Sequence, residues 1–452
     1  MQLNKKVLTL TITALALLGL GFGCKTPATV KGVTLNFWTV YDNVGELQKL
    51  AKEYKVLRPY VNVNIKQVRY EEFDKLLLNA LADDVSPDIV SLQNRWLGRY
   101  LNRLAPMPAS VKTATIEVQG KYIQETVITK QDTIMPTLNY VKGAYVGAVY
   151  DDAVVGGNVY GLPMSLDTLA IYYNKDLLDK AGMPEPPANW TDFMAAVKAG
   201  TKFDKDGNII QSGVALGTAN NIDNFFDIVS LFLTQSGVSI ASGNYITFAS
   251  GLENRVGDFP IFRALNFYTD FARNNKEAYS WNEKMGNALQ QFAQGKTLFY
   301  FGFAYDYPKI MAMGPGLNVE TIPMLQLNTN SPSNVANYWL ESVMKKSKHQ
   351  DEAWDFIRFI TLPENVKKYT TGAKLPSPLR SQILEQKKDV FLAPFASQIL
   401  TAKNWYRGSN YDAAKQAIAD MIHSYLQPYE GTDLMYFNKI VSYAQALIQQ
   451  TM

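Results

Sequence analysis

Apolar and polar positions alternate from Val33 onward, with Val33, Leu35 and Phe37 separated by Thr34 and Asn36, and this predicts a strand over VTLNFWTV. Val44, Leu47, Leu50, Ala51 and Tyr54 then recur at helical spacing until Pro59 stops the run. VNVNIKQV predicts a second strand, EEFDKLLLNALA a second amphipathic helix, SPDIVSL a third strand, and Trp96 to Leu104 a further helix. Strands and helices alternating at these lengths are joined most simply as parallel strands with crossover helices, so an α/β lobe is expected. Ligands of such sheets sit beyond the carboxyl ends of the strands. Those ends are WTVYDN (38–43) and LQNRW (92–96).

Residues 108–158 are less periodic and rich in Thr, Val, Tyr and Gly, and GGN at 156–158 signals a hairpin turn. The run that follows predicts a strand, a short helix, a Pro-rich turn and a helix opening near Thr191. GVALG (213–217) and TLFYFG are strand-like, Asp223 to Gln235 and Leu289 to Gln294 helical. SKHQDEAWDFIRFIT places Trp354, Ile357 and Ile360 on one helical face. FDKDGNII has the look of a calcium loop, but it lacks the remaining carboxylates and the closing Glu, which predicts a Lys-Asp-Gly-Asn hairpin instead.

Before Val33 the pattern differs. Lys5 and Lys6 precede an apolar stretch from Val7 to Leu20, then Gly21, Gly23 and Cys24, the one cysteine of 452 residues. This is the order of a secretory signal, and a cysteine directly after the small residues fits a bacterial lipobox, although Leu20 stands four rather than three residues before it. Residues 1–23 are therefore expected to be a lipoprotein signal, with Cys24 lipidated and 24–32 a tether to the cell membrane. A body without thiols excludes structural disulfides and Cys-ligated metals. The whole chain carries a formal +3, and loss of Lys5 and Lys6 leaves +1, so nucleic acid is not an expected partner. Roughly 430 residues exceed one ordinary core and suggest two lobes.

Little in the chain points to catalysis or a cofactor. His349 and His423 are the only histidines, each alone among helical neighbours, and no zinc set, Cys-His pair, Gly-x-Ser-x-Gly elbow or phosphate-binding Gly loop is present. Binding is better supported, because aromatic residues repeatedly fall beside planar polar ones at loop ends. These groups are Trp38, Tyr41 and Asp42; Gln93, Asn94, Arg95 and Trp96; Asn220, Asn221 and Asp223; Phe303, Tyr305 and Asp306; Asn337, Tyr338 and Trp339; Trp405, Tyr406 and Arg407. Aromatic faces suit the C–H faces of a sugar ring, and Asp, Asn, Gln and Arg suit its hydroxyls.

The stretch YGLPMSLDTLAIYYNKDLLDKAGMPEPPANWTDF (160–193) resembles a pattern of the extracellular solute-binding proteins (family 1) that deliver sugars to ABC importers, the group containing maltose-binding protein. VTLNFWTVYD, SPDIVSL followed by LAPM, FAQGKTLFYFG, KKSKHQDEAWDFIRFIT and KLPSPLRS extend the resemblance in the family's order to about residue 380. It implies a two-lobed, type II periplasmic-binding-protein-like α/β fold with a hinge and an interlobe cleft. The lobes would be 33–165 with 341–390, and 168–337 with 391–452, hinged near 164–168 and 337–341. By position in the family's pattern, ligand contacts are expected from Asp167, from Gln93, Asn94 and Trp96, and from Phe303 and Tyr305. Tyr338, Trp339 and Trp405 join them, with Trp38, Tyr41, Asp42, Asn220 and Asn221 from the loop-end groups. Relatives have Gly-Ser-Trp or Gly-Pro-Trp where this chain has Gly302-Phe303-Ala304-Tyr305, and Gly-Gly before the aromatic where it has Ala336-Asn337-Tyr338-Trp339. The implied protein is a monomer that captures a carbohydrate, without cofactor, and hands it to permease subunits. The alternatives are a polyamine, peptide or glycerol-phosphate ligand in the same fold, a surface sensor, or a glycan-active enzyme with paired carboxylates. Arg95 and Arg407 keep acidic sugars open.

Overall fold

A computed structural model describes residues 31–119, 125–252, 257–433 and 435–452. Cys24, the expected signal segment 1–23 and most of the expected tether 24–32 lie outside the described residues. Among those described, no helix is long and apolar enough to cross a membrane.

The first sheet is assembled as the alternation predicts. Val33–Thr39 buries every second residue and pairs in parallel with Val61–Gln67 on one side and Ile89–Gln93 on the other. Ile89–Gln93, covered on both faces, is buried throughout, the pattern of a central strand. Trp339–Met344 then adds to it in antiparallel register, Trp339 opposite Gln93 and Val343 opposite Ile89. Leu104–Ala105 closes the order. The first crossover helix, Val44–Leu57, is capped by Asn43, whose side chain accepts from the Glu46 N–H at 3.1 Å, and it buries Leu47, Leu50 and Tyr54. Its end is fixed by Arg58, fully buried and paired with Asp355 of helix Gln350–Ile360 at 2.9 Å, while Tyr54 donates to the same carboxylate.

The helix expected from Trp96 to Leu104 is corrected. The segment forms three short turns, Asn94–Trp96, Leu97–Tyr100 and Leu101–Arg103, and Leu104 belongs to the sheet opposite Met344. The first two turns bury Trp96, Leu97 and Tyr100, the third buries none of its residues, and sheet pairing takes Leu104. Residues 108–158 hold a ten-residue ribbon, Ser110–Gln119 with Glu125–Ile134, then two short helices. Among the described residues no third strand pairs with this ribbon. The hairpin at 156–158 is present, with Gly156 and Gly157 at φ +57° and +80°. So is the Lys-Asp-Gly-Asn hairpin, where Asp204 Oδ1 accepts from the N–H groups of Asp206 and Asn208.

The second sheet runs Lys202–Phe203, Ile209–Val214, Thr297–Gly302, Ala170–Asn174 and Val319–Pro323. Its helices pack an aromatic core in which Trp190 meets Phe193, Phe232 and Phe267 at 5.0–5.4 Å. A third, small sheet lies where the chain passes between the two. Asn334–Asn337 pairs antiparallel with Asp167–Thr168 and parallel with Ala402–Lys403. It continues through Tyr338 into the first sheet, and Asp167–Thr168 continues through Leu169 into the second. The architecture is two α/β lobes joined by short strands.

Candidate functional site

The carboxyl-terminal ends of the strands in both sheets present aromatic rings, and these meet. Tyr41 follows Val33–Thr39, Tyr70 follows Val61–Gln67, Trp96 follows Ile89–Gln93, and Trp339 opens its strand beside Gln93. From the second sheet, Phe303 and Tyr305 follow Thr297–Gly302. The Tyr41 and Tyr305 rings lie 5.9 Å apart and nearly parallel at 13°. Trp339 sets its edge against Tyr41 at 5.5 Å and against Trp96 at 5.6 Å, and Trp96 also meets Tyr70 at 5.0 Å. The Lys309 ammonium stands 5.0 Å from Tyr41 and 4.9 Å from Tyr305, and 3.6 Å from the buried Asp306 carboxylate.

Polar groups beneath the rings come from the connecting strands. Asp167 is buried; its Oδ1 accepts from the Thr168 N–H at 2.9 Å and its Oδ2 from the Tyr305 N–H at 3.2 Å. Burial pushes its carboxyl up to about 8, against the pull of the backbone N–H groups of Ala304, Thr168 and Tyr305. Asn337, opposite Asp167 in register, donates to the Tyr305 hydroxyl at 3.4 Å and accepts from Gln93 at 3.4 Å. Gln93 Oε1 and Trp96 Nε1 are buried without a hydrogen-bond partner among the described residues. Buried polar atoms are ordinarily paired, and these two are exceptions to that rule beside the rings.

A second set of contacts crosses between the lobes close in sequence to the first. Arg95 is buried and forks onto Asp227, in the first turn of helix Phe225–Gln235, with one N–O distance of 3.3 Å. It donates to the Tyr411 hydroxyl at 3.1 Å, with its guanidinium 5.3 Å from the Phe226 and Tyr411 rings. Burial opposes its charge, and Asp227 and Tyr411 outweigh that, holding the guanidinium protonated. Arg407 reaches the buried Asp152 at 3.2 Å, which also accepts from Asn94, Tyr338 and Asn404.

The sequence-derived candidates therefore divide. Tyr41, Trp96, Asp167, Phe303, Tyr305 and Trp339, with Gln93, come together. Asn94 and Tyr338 serve the Asp152 network, and Trp405 stacks on Phe226 at 5.3 Å and donates to Ser230, behind Arg95. Trp38 lies apart, on the outward face of its strand with Lys66 at 4.6 Å. Asp42 faces inward, where the Ser91 hydroxyl lies 2.5 Å from both its Oδ2 and Glu341 Oε2, and Tyr369 donates at 3.1 Å. Asn220 is exposed, and Asn221 spends its amide on Trp281, Thr218 and the carbonyls of Asn282 and Met285. Tyr70 and Lys309 belong to the cluster and were not among the candidates. Tyr70 stands directly after the strand VNVNIKQV, so the strand-end rule that finds Tyr41 also finds it; Lys309 carries no such signal. A cavity of about 740 Å³ exists elsewhere, on the flank of the second lobe beside Asn208, Arg273 and Tyr279. Among the described residues, strand-end rings of both sheets converge at the cluster, which for that reason is the stronger candidate.

Two bridged α/β lobes whose strand ends face each other across rings and amides define a two-lobed binding protein. Residues 41–367 match the bacterial extracellular solute-binding protein family, and the chain belongs to it. That family is extracytoplasmic and binds solutes rather than transforming them. The chain is 23% identical over 270 residues to the multiple sugar-binding protein of Streptococcus mutans, covering 59% of this chain and 61% of that one. It is 27% identical over 225 residues to the lactose-binding protein of Rhizobium radiobacter, covering 46% of each. The chain thus spans less than two thirds of the curated relatives it matches. Solved structures with this fold include a cyclo/maltodextrin-binding protein complexed with maltotetraose (TM-score 0.68, 16% identity, 94% of this chain and 98% of that one). Another is the cyclic alpha-maltosyl-1,6-maltose binding protein of Arthrobacter globiformis (TM-score 0.70, 17% identity, 93% and 99%).

Proposed function

We propose that the protein captures a carbohydrate, an oligosaccharide, between its lobes and delivers it to the permease of an ABC importer. The observation that carries this reading is the ring cluster, contributed by strand ends of both lobes and floored by Gln93, Asn337 and Asp167. In this reading the lobes are 33–165 with 341–390 and 168–337 with 391–452, and they turn about 164–168 and 337–341. A ligand held by both lobes favours closure because its affinity for the closed form exceeds that for the open one. Cys24 is the lipid anchor that keeps the monomer at the membrane. Neutral sugars are favoured over acidic ones, since both arginines that would receive a carboxylate are already committed, Arg95 to Asp227 and Arg407 to Asp152.

A thermal-shift panel tests this with neutral and acidic oligosaccharides, polyamines, glycerol phosphates and peptides. A ligand at 100 times its Kd adds about 2.7 kcal/mol to stability. A selective rise with neutral oligosaccharides, without turnover, is the expected result. A rise with another class alone would replace the ligand and keep the fold.

A further inference from the structure

The rings at the cleft form a stack with a single step between lobes. Tyr70 and Tyr41, both from the first lobe, lie 6.0 Å apart at 25°. Phe303 and Tyr305, both from the second, lie 5.3 Å apart at 13°. Tyr41 and Tyr305 join the two pairs at 5.9 Å and 13°. Successive contacts thus run Tyr70, Tyr41, Tyr305, Phe303, and the boundary between lobes falls at the middle step.

Both rings of that step are held in orientation. Tyr41 has Tyr70 against it and the edge of Trp339 at 5.5 Å. Tyr305 has Phe303 against it, its N–H on Asp167 and its hydroxyl on Asn337. Two near-parallel aromatic rings, each fixed by its own lobe, would be parted by a rotation of the lobes about the strands that connect them. A flat apolar object is what fits between them.

We propose that Tyr41 and Tyr305 take opposite faces of one sugar ring in the liganded protein, and that this selects pyranoses whose hydroxyls are all equatorial. The proposal rests on the carbohydrate reading above and deepens it to a configuration. In a gluco- or xylo-configured ring both faces present axial C–H bonds, whose positive ends suit the negative faces of aromatic rings. An axial hydroxyl, at C4 in galactose or C2 in mannose, turns an oxygen toward one of the two phenol faces and leaves it without a hydrogen-bond partner there. Discrimination by such a misfit is a difference of affinities created by the wrong ligand's loss. Lys309 flanks the step, and Asp306 at 3.6 Å matches its charge, so no free cation there calls for a uronate.

The test is calorimetric titration of the full chain with cellobiose and xylobiose against β-1,4-linked galactobiose and mannobiose, on wild type and on Tyr41→Ala, Tyr41→Phe, Tyr305→Ala and Tyr305→Phe. The equatorial disaccharides are expected to bind about tenfold tighter or more than the axial epimers. Each alanine variant is expected to lose about tenfold or more in affinity, as a central aromatic anchor does, and each phenylalanine variant to keep it. Melting curves report whether each variant folds; Tyr41 is 42% exposed, so Tyr41→Ala carries the test even where Tyr305→Ala does not fold. Sugars bound with equal affinity for the axial epimers, or unweakened by Tyr41→Ala, would overturn the sandwich and leave the sugar reading intact. No binding of cellobiose, xylobiose or their longer homologues overturns the sandwich; if a polyamine, phosphate or peptide binds instead, the sugar reading falls with it.

Discussion

The Tyr41–Tyr305 contact and the Arg95–Asp227 contact both join loops of the first lobe to the second, and they are built from opposite chemistry. The ring contact is partly open to solvent and carries no charge, so a sugar face can replace either ring as the other's partner. The ion pair is buried, with side-chain exposures of 3% and 7%, and an uncharged group in place of one member alone strands the other's charge. An opening of the lobes would return water to both ions, and that regained hydration would offset much of the lost attraction. A buried pair of this kind therefore sets the geometry of closure more than its strength. In the proposed complex the ring contact is where ligand and protein compete.

The largest expected effect breaks the pair on one side. Asp227→Ala strands the Arg95 charge and is expected to lower stability by about 3–5 kcal/mol, read as a fall in the urea midpoint. The double change Arg95→Met with Asp227→Leu is expected to recover most of that, because it removes the charge with its partner. A neutral single variant would mean that the pair is hydrated in solution.

Backbone approach is next. A Cβ on Gly98 would stand 2.4 Å from the Gly408 carbonyl oxygen and 2.7 Å from that of Arg407, neither of which is a flexible side-chain end. Gly98→Ala is expected to cost about 1–3 kcal/mol, seen as a lowered Tm. An unchanged Tm would show that the 407–408 segment yields.

Protonation sharpens the comparison on the ring side. Asp167, which holds the Tyr305 loop, has its carboxyl pushed up to about 8 by burial. The folded state then keeps a proton that the unfolded chain releases near pH 4, so stability falls as pH rises from about 4 to about 8. Asp167→Asn is expected to flatten that fall by on the order of 1–2 kcal/mol, read as Tm against pH. A slope as steep as in the wild type would assign it to other buried acids.

The smallest effect is at Lys309. Lys309→Ala removes a cation from beside two phenol rings and is expected to change sugar affinity by about 0.5–1 kcal/mol, measured by calorimetric titration. A loss as large as that from Tyr41→Ala would make the ammonium, rather than the rings, the principal contact.

Much of this was legible along the chain. Alternation at Val33, Leu35 and Phe37 and helical spacing from Val44 to Tyr54 are local consequences of one face meeting a core, so strand and helix appear where the pattern has them. The rule that ligands lie beyond strand ends directed attention to Tyr41, Gln93 and Trp96. It also directed attention to Trp38 and Asp42, and there it lacked discrimination. Neighbours in a strand point to opposite faces, so Trp38 turns outward between buried Phe37 and Thr39, whereas Asp42 lies in the bend after the strand and turns inward to Ser91 and Tyr369. Asn221 reads as a sugar ligand by type, yet its amide closes a turn around Trp281.

What the sequence by itself determined is the set of local elements, the family, and the kind of side chain offered at the strand ends, because these depend on spacing and residue type. Only the tertiary structure decided which of those side chains meet. Tyr41 and Tyr305 are separated by more than half the chain and face each other because two strands of the small sheet, Asp167–Thr168 and Asn334–Asn337, feed separate lobes from adjacent positions. Arg95 finds Asp227 for the same reason. Pairings of that kind depend on how two sheets are set against each other, and no periodicity along a chain encodes that setting.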